Sequence, residues 1–295
     1  MSNRGKPDGP PPSTGALGKR VLQHARDTQV AERRWRVWVA YMMLAGLLDR
    51  ARADGRGPAF AVKGGVSLEL RLKTRARATK DIDLILHHDD DLLAAFEGAL
   101  MEPVQAGGAT TAVAASYEGF TFRRKGEARD LAHGAQRLEL GVNYKGGTWT
   151  TISVDIARPE LDDVAHEPVK ALDLSAVGLT GPDEVPCLPL PYQIAQKLHG
   201  MTKPMKPGKR NERVKDLVDL VLVAPFVDDY PELRAACVRV FEDRNTHPWP
   251  PTPVVPEHWQ AEYTQMATEL EMDGTDIADA IALVAEFVVR IEGAA

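Results

Sequence analysis

The sequence predicts an α+β fold: a mixed sheet with flanking helices, followed by a wholly helical C-terminal part. Three observations carry that expectation. Apolar residues recur at helical spacing up to about residue 53. The period changes to two between about residues 117 and 157. Beyond Pro186, Pro189 and Pro191 only helical spacing remains. The expected organisation is a Pro- and Gly-rich flexible tail over residues 1–18, a first domain over 19–188 and a helical domain over 189–295. With 295 residues, 44% hydrophobic and 26% charged, the chain can bury its own core without disulfide or metal staples.

Each element rests on local pattern. From about Thr28 to Ala53, Trp35, Val39, Met42, Met43 and Leu47 share one helical face. Trp35 and Trp38 read as core residues rather than base-stacking platforms. Asp54–Pro58 breaks the helix, Ala59–Val62 is a short strand, Lys63-Gly64-Gly65 is a turn, and Val66–Lys73 is a short helix. Thr74–Lys80 is a basic loop and Asp81–Leu86 a strand. Asp89–Leu100 is a helix with acids in its first turn, where the helix dipole favours them. Tyr117–Arg124, Gln136–Tyr144 and Trp149–Ala157 are strands, with Lys145-Gly146-Gly147 turning between the last two. After Pro159 the pattern is irregular. Pro191 suits a helix start, and helices are expected at about 191–201, 211–224, 230–243, 257–271 and 275–292. The prolines between 248 and 256 form a stiff linker.

Charge and cysteine content narrow the class. A net charge of −6 argues against coating duplex nucleic acid with the whole surface. Two local basic stretches remain, Arg71–Lys80 and Lys203–Lys215. No apolar run reaches the roughly 20 residues of a membrane span, and Met1–Pro10 lacks the apolar stretch of a signal peptide. Cys187 and Cys237 are far apart and form no CxxC pair, so the expected compartment is the reducing cytoplasm.

The chemistry concentrates in two segments, Val62–Leu72 and Ala78–Leu86. On a strand, Asp81 and Asp83 project to the same side, and adjacent carboxylates repel unless a cation sits between them. Asp155, a lone acid among apolar residues in Ile152–Ile156, is the third candidate. Three such oxygen donors suit Mg²⁺ or Mn²⁺. A Gly-Gly junction at Gly64 and Gly65 lets backbone N–H groups and a helix N-terminus approach a triphosphate, with Ser67 adding a hydroxyl. A bare Asp-x-Asp is weak: Asp89-x-Asp91 has the same form and reads as a helix cap. The ordered combination of strand, Gly-Gly, helix, basic loop and two acidic strands is stronger, and it resembles the nucleotidyltransferase superfamily with a polymerase β-like palm.

Lys63–Arg71, Arg77–Leu84, and Gln196–Leu198 with Arg213–Leu220 narrow the resemblance to the AbiEii family, toxins of type IV-like toxin–antitoxin systems that include mycobacterial MenT enzymes. The resemblance implies a cytoplasmic enzyme that transfers NMP from an NTP, CTP among the candidates, to the 3′ end of tRNA, with a cognate antitoxin as partner. It implies a site of Asp81, Asp83 and Asp155 as metal ligands, completed by Lys197 and Asp219. Lys63, Gly64, Gly65, Ser67, Arg71, Arg77 and Lys197 surround the triphosphate. It also implies that phosphorylation of Thr79 silences the enzyme. Two rival readings keep part of this: AMP transfer to a protein hydroxyl, and an inactive palm serving as a binding module.

Overall fold

The computed structural model describes residues 9–106, 109–254 and 256–294. The chain divides into two compact units, one of Met1–Arg71 and Ala78–Cys187, the other of Leu72–Arg77 and Leu188–Ala295. Of the tail expected over residues 1–18, residues 1–8 lie outside the described residues, and the remainder is built into the fold. Pro11 is buried and its carbonyl accepts from Tyr144 Oη at 2.6 Å. Ser13 then caps a helix α1 (Thr14–Thr28), which buries Leu17, Val21 and Ala25 at spacings of four. The low-complexity start of the chain conceals this stripe.

Helix α2 (Glu32–Ala53) is buried on all sides from Trp38 to Leu48, as expected of a helix that is apolar all round. Strand β1 (Ala59–Lys63) leads directly into α3 (Gly64–Leu72). Strand β2 (Asp81–His87) is followed by α4 (Leu92–Ala99), whose N-cap Asp91 accepts from the N–H groups of Leu93 and Ala94. An unanticipated hairpin comes next, β3 (Met101–Ala106) with β4 (Ala109–Ala114). The next strand, β5 (Phe120–Asp130), starts three residues later than expected, because Glu118 and Gly119 both adopt positive φ and form a tight turn. The stretches β6 (Gln136–Tyr144) and β7 (Gly147–Ala157) match the sequence period. The region read as irregular carries two short strands, β8 (Glu167–Lys170) and β9 (Glu184–Cys187).

Among the described residues these strands form a seven-stranded sheet in the order β5-β6-β7-β2-β1-β9-β8, with β2–β7 and β1–β9 parallel and the other pairs antiparallel. One face carries Ile82, Leu84, Leu86, Leu138, Leu140, Ile152, Val154 and Ile156, which join α1, α2 and α4 in the core. Strand alternation therefore sends Asp81, Asp83, Arg137, Glu139, Ser153 and Asp155 to the other face.

The second unit is helical: α5 (Leu190–Thr202), α6 (Val214–Val223), α7 (Tyr230–Arg244), α8 (Gln260–Glu269) and α9 (Ile277–Glu292). Proline falls in the first turn of α5, and Asp229 and Asp276 cap α7 and α9. Leu198, Leu217, Val240, Phe241, Tyr263 and Phe287 lie in its buried interior. The proline-rich stretch before α8 is anchored at its start, where Trp249 packs edge-on to Phe241 and donates to Glu292 at 2.7 Å.

Candidate functional site

Strand register assembles a row of charges on the polar face of the sheet. Lys63 pairs with Asp83, Asp83 with Asp155, and Asp155 with Arg137. Directly paired residues share a face, so the row reads cation, acid, acid, cation across four strands. One step along, Asp81 pairs with Ser153 and Ser153 with Glu139. Asp81, Asp83 and Asp155 thus come together from segments separated by about seventy residues.

Arg137 ties this row. Its Nε donates to Asp155 Oδ1 and its Nη2 to Asp155 Oδ2, both at 2.7 Å, and Nη2 lies 3.4 Å from Asp81 Oδ2. The hydrogen bond to Asp155 is the main influence, and with the charges of Asp155, Asp81 and Asp83 it outweighs partial burial and holds the guanidinium pKa above its ordinary value. Sequence reading missed Arg137. The local signal is that Arg137 and Glu139 alternate with the apolar Leu138 and Leu140.

The turn beside the row is shaped by its glycines. Gly64 has φ +65, and a Cβ there would lie 2.2 Å from Asp83 Oδ2, so no side chain fits between the turn and the carboxylate. A buried carboxylate fixes the approach to Asp81. Glu69, 1% exposed on α3, pairs with Arg34 at 2.8 Å, accepts from Trp38 Nε1 at 2.7 Å and from the Thr79 backbone N–H at 3.2 Å. Thr79 in turn donates its hydroxyl to the Asp81 carbonyl at 3.1 Å. Burial holds the Glu69 carboxyl above its ordinary pKa, against the pull of Arg34.

Other expected residues have different employment. Ser67 is wholly buried and accepts from Arg71, which also pairs with Glu167, so the Ser67 hydroxyl has no exposed surface to offer a phosphate. Burial pushes the Cys187 and Cys237 thiols up, away from nucleophilic character. His87, at the end of β2, is half-buried with its Nε2 3.1 Å from that of His166.

The second unit holds its own charge cluster. Lys197 Nζ donates to Asp219 Oδ2 at 2.7 Å and to Asp216 Oδ1 at 3.0 Å, and Arg77 Nη2 donates to Asp219 Oδ2 at 2.9 Å. Burial lowers the Lys197 pKa, but the Asp219 and Asp216 charges outweigh it and hold the ammonium above its ordinary value. Asp219 is 2% exposed. Asp216 completes the cluster; its i,i+3 spacing from Asp219 puts both on one helix face.

The acidic row offers hard oxygen donors of the kind Mg²⁺ and Mn²⁺ take. Two features fit a cation there. A guanidinium already stands between Asp81 and Asp155. Ser153 Oγ, in register with Asp81, is buried with no hydrogen-bond partner and so has capacity for a water or ligand oxygen. No three His, Cys, Asp or Glu among the described residues stand in a metal-holding arrangement; Arg137 takes both oxygens of Asp155 in this one. Among the described residues no helix is long and apolar enough to cross a membrane.

Comparison with known proteins bears on the family. Residues 46–285 match the family described as nucleotidyl transferase AbiEii toxin, type IV TA system. The structure is similar to that of MenT4, a nucleotidyltransferase toxin from Mycobacterium tuberculosis, with TM-score 0.59 and 20% identity over 95% of this chain and 89% of that one. It also matches JHP933 from Helicobacter pylori, with TM-score 0.43 and 14% identity over 90% of this chain and 92% of that one. No curated protein sequence matches. The MenT4 likeness shows the nucleotidyltransferase-like α+β fold.

Proposed function

The chain belongs to the AbiEii family of nucleotidyl transferase toxins of type IV toxin–antitoxin systems, and from that premise we propose that it transfers NMP from an NTP to the 3′ hydroxyl of tRNA. The observation that carries this reading is the register of Asp83 with Asp155, beside a turn where Gly64 leaves no room for a side chain. The acceptor oxygen attacks the α-phosphorus, the α–β phosphoanhydride bond breaks, and pyrophosphate leaves with the bonding pair. The acceptor proton passes to Asp155 or to water. A tRNA extended in this way cannot be charged, and translation stops.

Under this proposal Asp81, Asp83 and Asp155 hold Mg²⁺ or Mn²⁺, which supplies charge neutralisation at the triphosphate and the leaving oxygen. Gly64 and Gly65 bring backbone N–H groups at the start of α3 to the phosphates, and Lys63 adds a positive charge. Lys197 and Asp219, the pair that the family resemblance implies, act through the charge of the Lys197 ammonium, which Asp219 orients. Arg77, paired to the same Asp219, fixes that orientation. The basic stretch Lys203–Lys215 tracks an RNA backbone by charge, without reading sequence. Phosphate on Thr79 would break its bond to the Asp81 carbonyl and add negative charge beside the acids. The expected partner is a cognate antitoxin.

The test is incubation with each labelled NTP separately, in the presence of total RNA and total protein, followed by sequencing of tRNA 3′ ends. Added nucleotides on tRNA, CTP being the first donor to try, support the reading. Label found only on protein replaces tRNA by a protein hydroxyl as acceptor, and no label on either contradicts transfer altogether.

A further inference from the structure

We propose that Arg137 is a built-in counterion of the acidic row, holding Asp155 and Asp81 in place of a divalent cation and competing with such a cation for Asp155. The inference rests on the metal-dependent transfer proposed above and adds a residue and a competition to it.

The pairing is built by the backbone. Arg137 lies directly opposite Asp155 in the antiparallel β6–β7 register, so the guanidinium is delivered to this carboxylate by strand pairing. It uses both oxygens of Asp155, each at 2.7 Å, and leans toward Asp81 at 3.4 Å. A two-point guanidinium–carboxylate contact is a strong form of ion pair. A divalent cation of the Mg²⁺ type would need oxygen lone pairs at about 2.0–2.1 Å. Arg137 takes one lone pair on each Asp155 oxygen, and its positive charge opposes a second cation at the remaining ones, so the two compete for this carboxylate.

Exposure makes the exchange asymmetric. The Asp155 side chain is 15% exposed, whereas that of Arg137 is 38% exposed. A carboxylate so nearly withdrawn from water needs a positive partner at all times. A guanidinium at the edge of solvent can be released and rehydrated at small cost. Arg137 therefore serves two ends. It keeps Asp155 and Asp81 from repelling each other when no cation is present. It also lowers the affinity of the nucleotide-free protein for divalent cation, so that productive binding awaits an NTP carrying its own.

The experiment is a titration of the nucleotide-free full chain with Mn²⁺ alone, read by the loss of the free-ion electron paramagnetic resonance signal, together with thermal melting with and without Mn²⁺. Arg137→Gln is expected to bind Mn²⁺ about five- to tenfold more tightly than the parent. It is also expected to melt lower without divalent cation and to gain more on its addition. Arg137→Lys, which keeps a charge but loses the two-point contact, is expected to show a smaller gain in affinity and serves if the glutamine variant does not fold. Mn²⁺ affinity in both variants equal to or weaker than the parent's overturns the inference. Asp83→Asn separates the two ideas. If the parent binds Mn²⁺ and Asp83→Asn does not, while the Arg137 variants gain nothing, the counterion role falls and the metal site stands. If neither the parent nor any variant binds Mn²⁺, both fall.

Discussion

The two charge clusters of this chain are built from the same residue types in opposite settings. On the sheet, Lys63, Asp83, Asp155 and Arg137 form an open row, and the Asp81 and Arg137 side chains are more than a third exposed. Among the helices, Lys197, Asp216 and Asp219 are all buried and closed on one another and on Arg77. An open row can exchange partners, which a ligand site requires. A closed, desolvated cluster is costly to disturb, because removing one member strands a buried charge. The sheet face is therefore expected to govern chemistry with little effect on stability, and the helical cluster to govern both.

The largest effect expected is on the sheet. Asp83→Asn should lower transfer at least about 10⁴-fold, roughly 5.5 kcal/mol of barrier, while the melting temperature stays near the parent's. A large fall in melting temperature would make the row structural and erase the contrast. Next comes Asp219→Ala, which leaves Lys197 and Arg77 without their shared acceptor. It should cost about 3–5 kcal/mol in denaturant unfolding. A loss under about 1 kcal/mol would mean the helical cluster is as open as the sheet row.

Glu69 sharpens the comparison, since it is a buried charge within the first unit. Burial holds its carboxyl above the ordinary range, so the folded state binds its proton more tightly than the unfolded state does. Its contribution is greatest at low pH and is lost as pH rises through the folded value. Arg34→Met removes its cation and should destabilise by about 3 kcal/mol at neutral pH. The melting temperature of that variant should climb more steeply than the parent's as pH falls from about 7 toward about 5. A flat profile would show that Glu69 is not held charged in the fold. Gly64→Ala is the smallest change in stability, about 1–2 kcal/mol from a strained positive φ. Its Cβ must also push Asp83 aside, so it should cut activity at least about 100-fold in a transfer assay, out of proportion to that loss.

Local features are legible in the sequence, and long-range register is not. The Gly64–Gly65 turn and Asp81-x-Asp83 lie within twenty residues, and Asp155 stands out as an acid in an apolar strand. Arg137 becomes meaningful only when β6 is laid against β7, because its partner is eighteen positions away and is fixed by pairing. Helix α1 is hidden by its proline-rich approach, although Ser13 with Leu17, Val21 and Ala25 carries a cap and a stripe. The β3–β4 hairpin, rich in Ala, Gly and Thr, has too little apolar alternation to announce itself. Ser67 illustrates the reverse error: a hydroxyl after a Gly-Gly turn suggests a phosphate contact, yet its place on α3 turns it into the core.

The most direct measurement is pyrophosphate release from NTP in the presence of tRNA by the parent and Asp83→Asn, compared at matched melting temperature. The account predicts release by the parent and none above background by the variant. Equal release by both would contradict it.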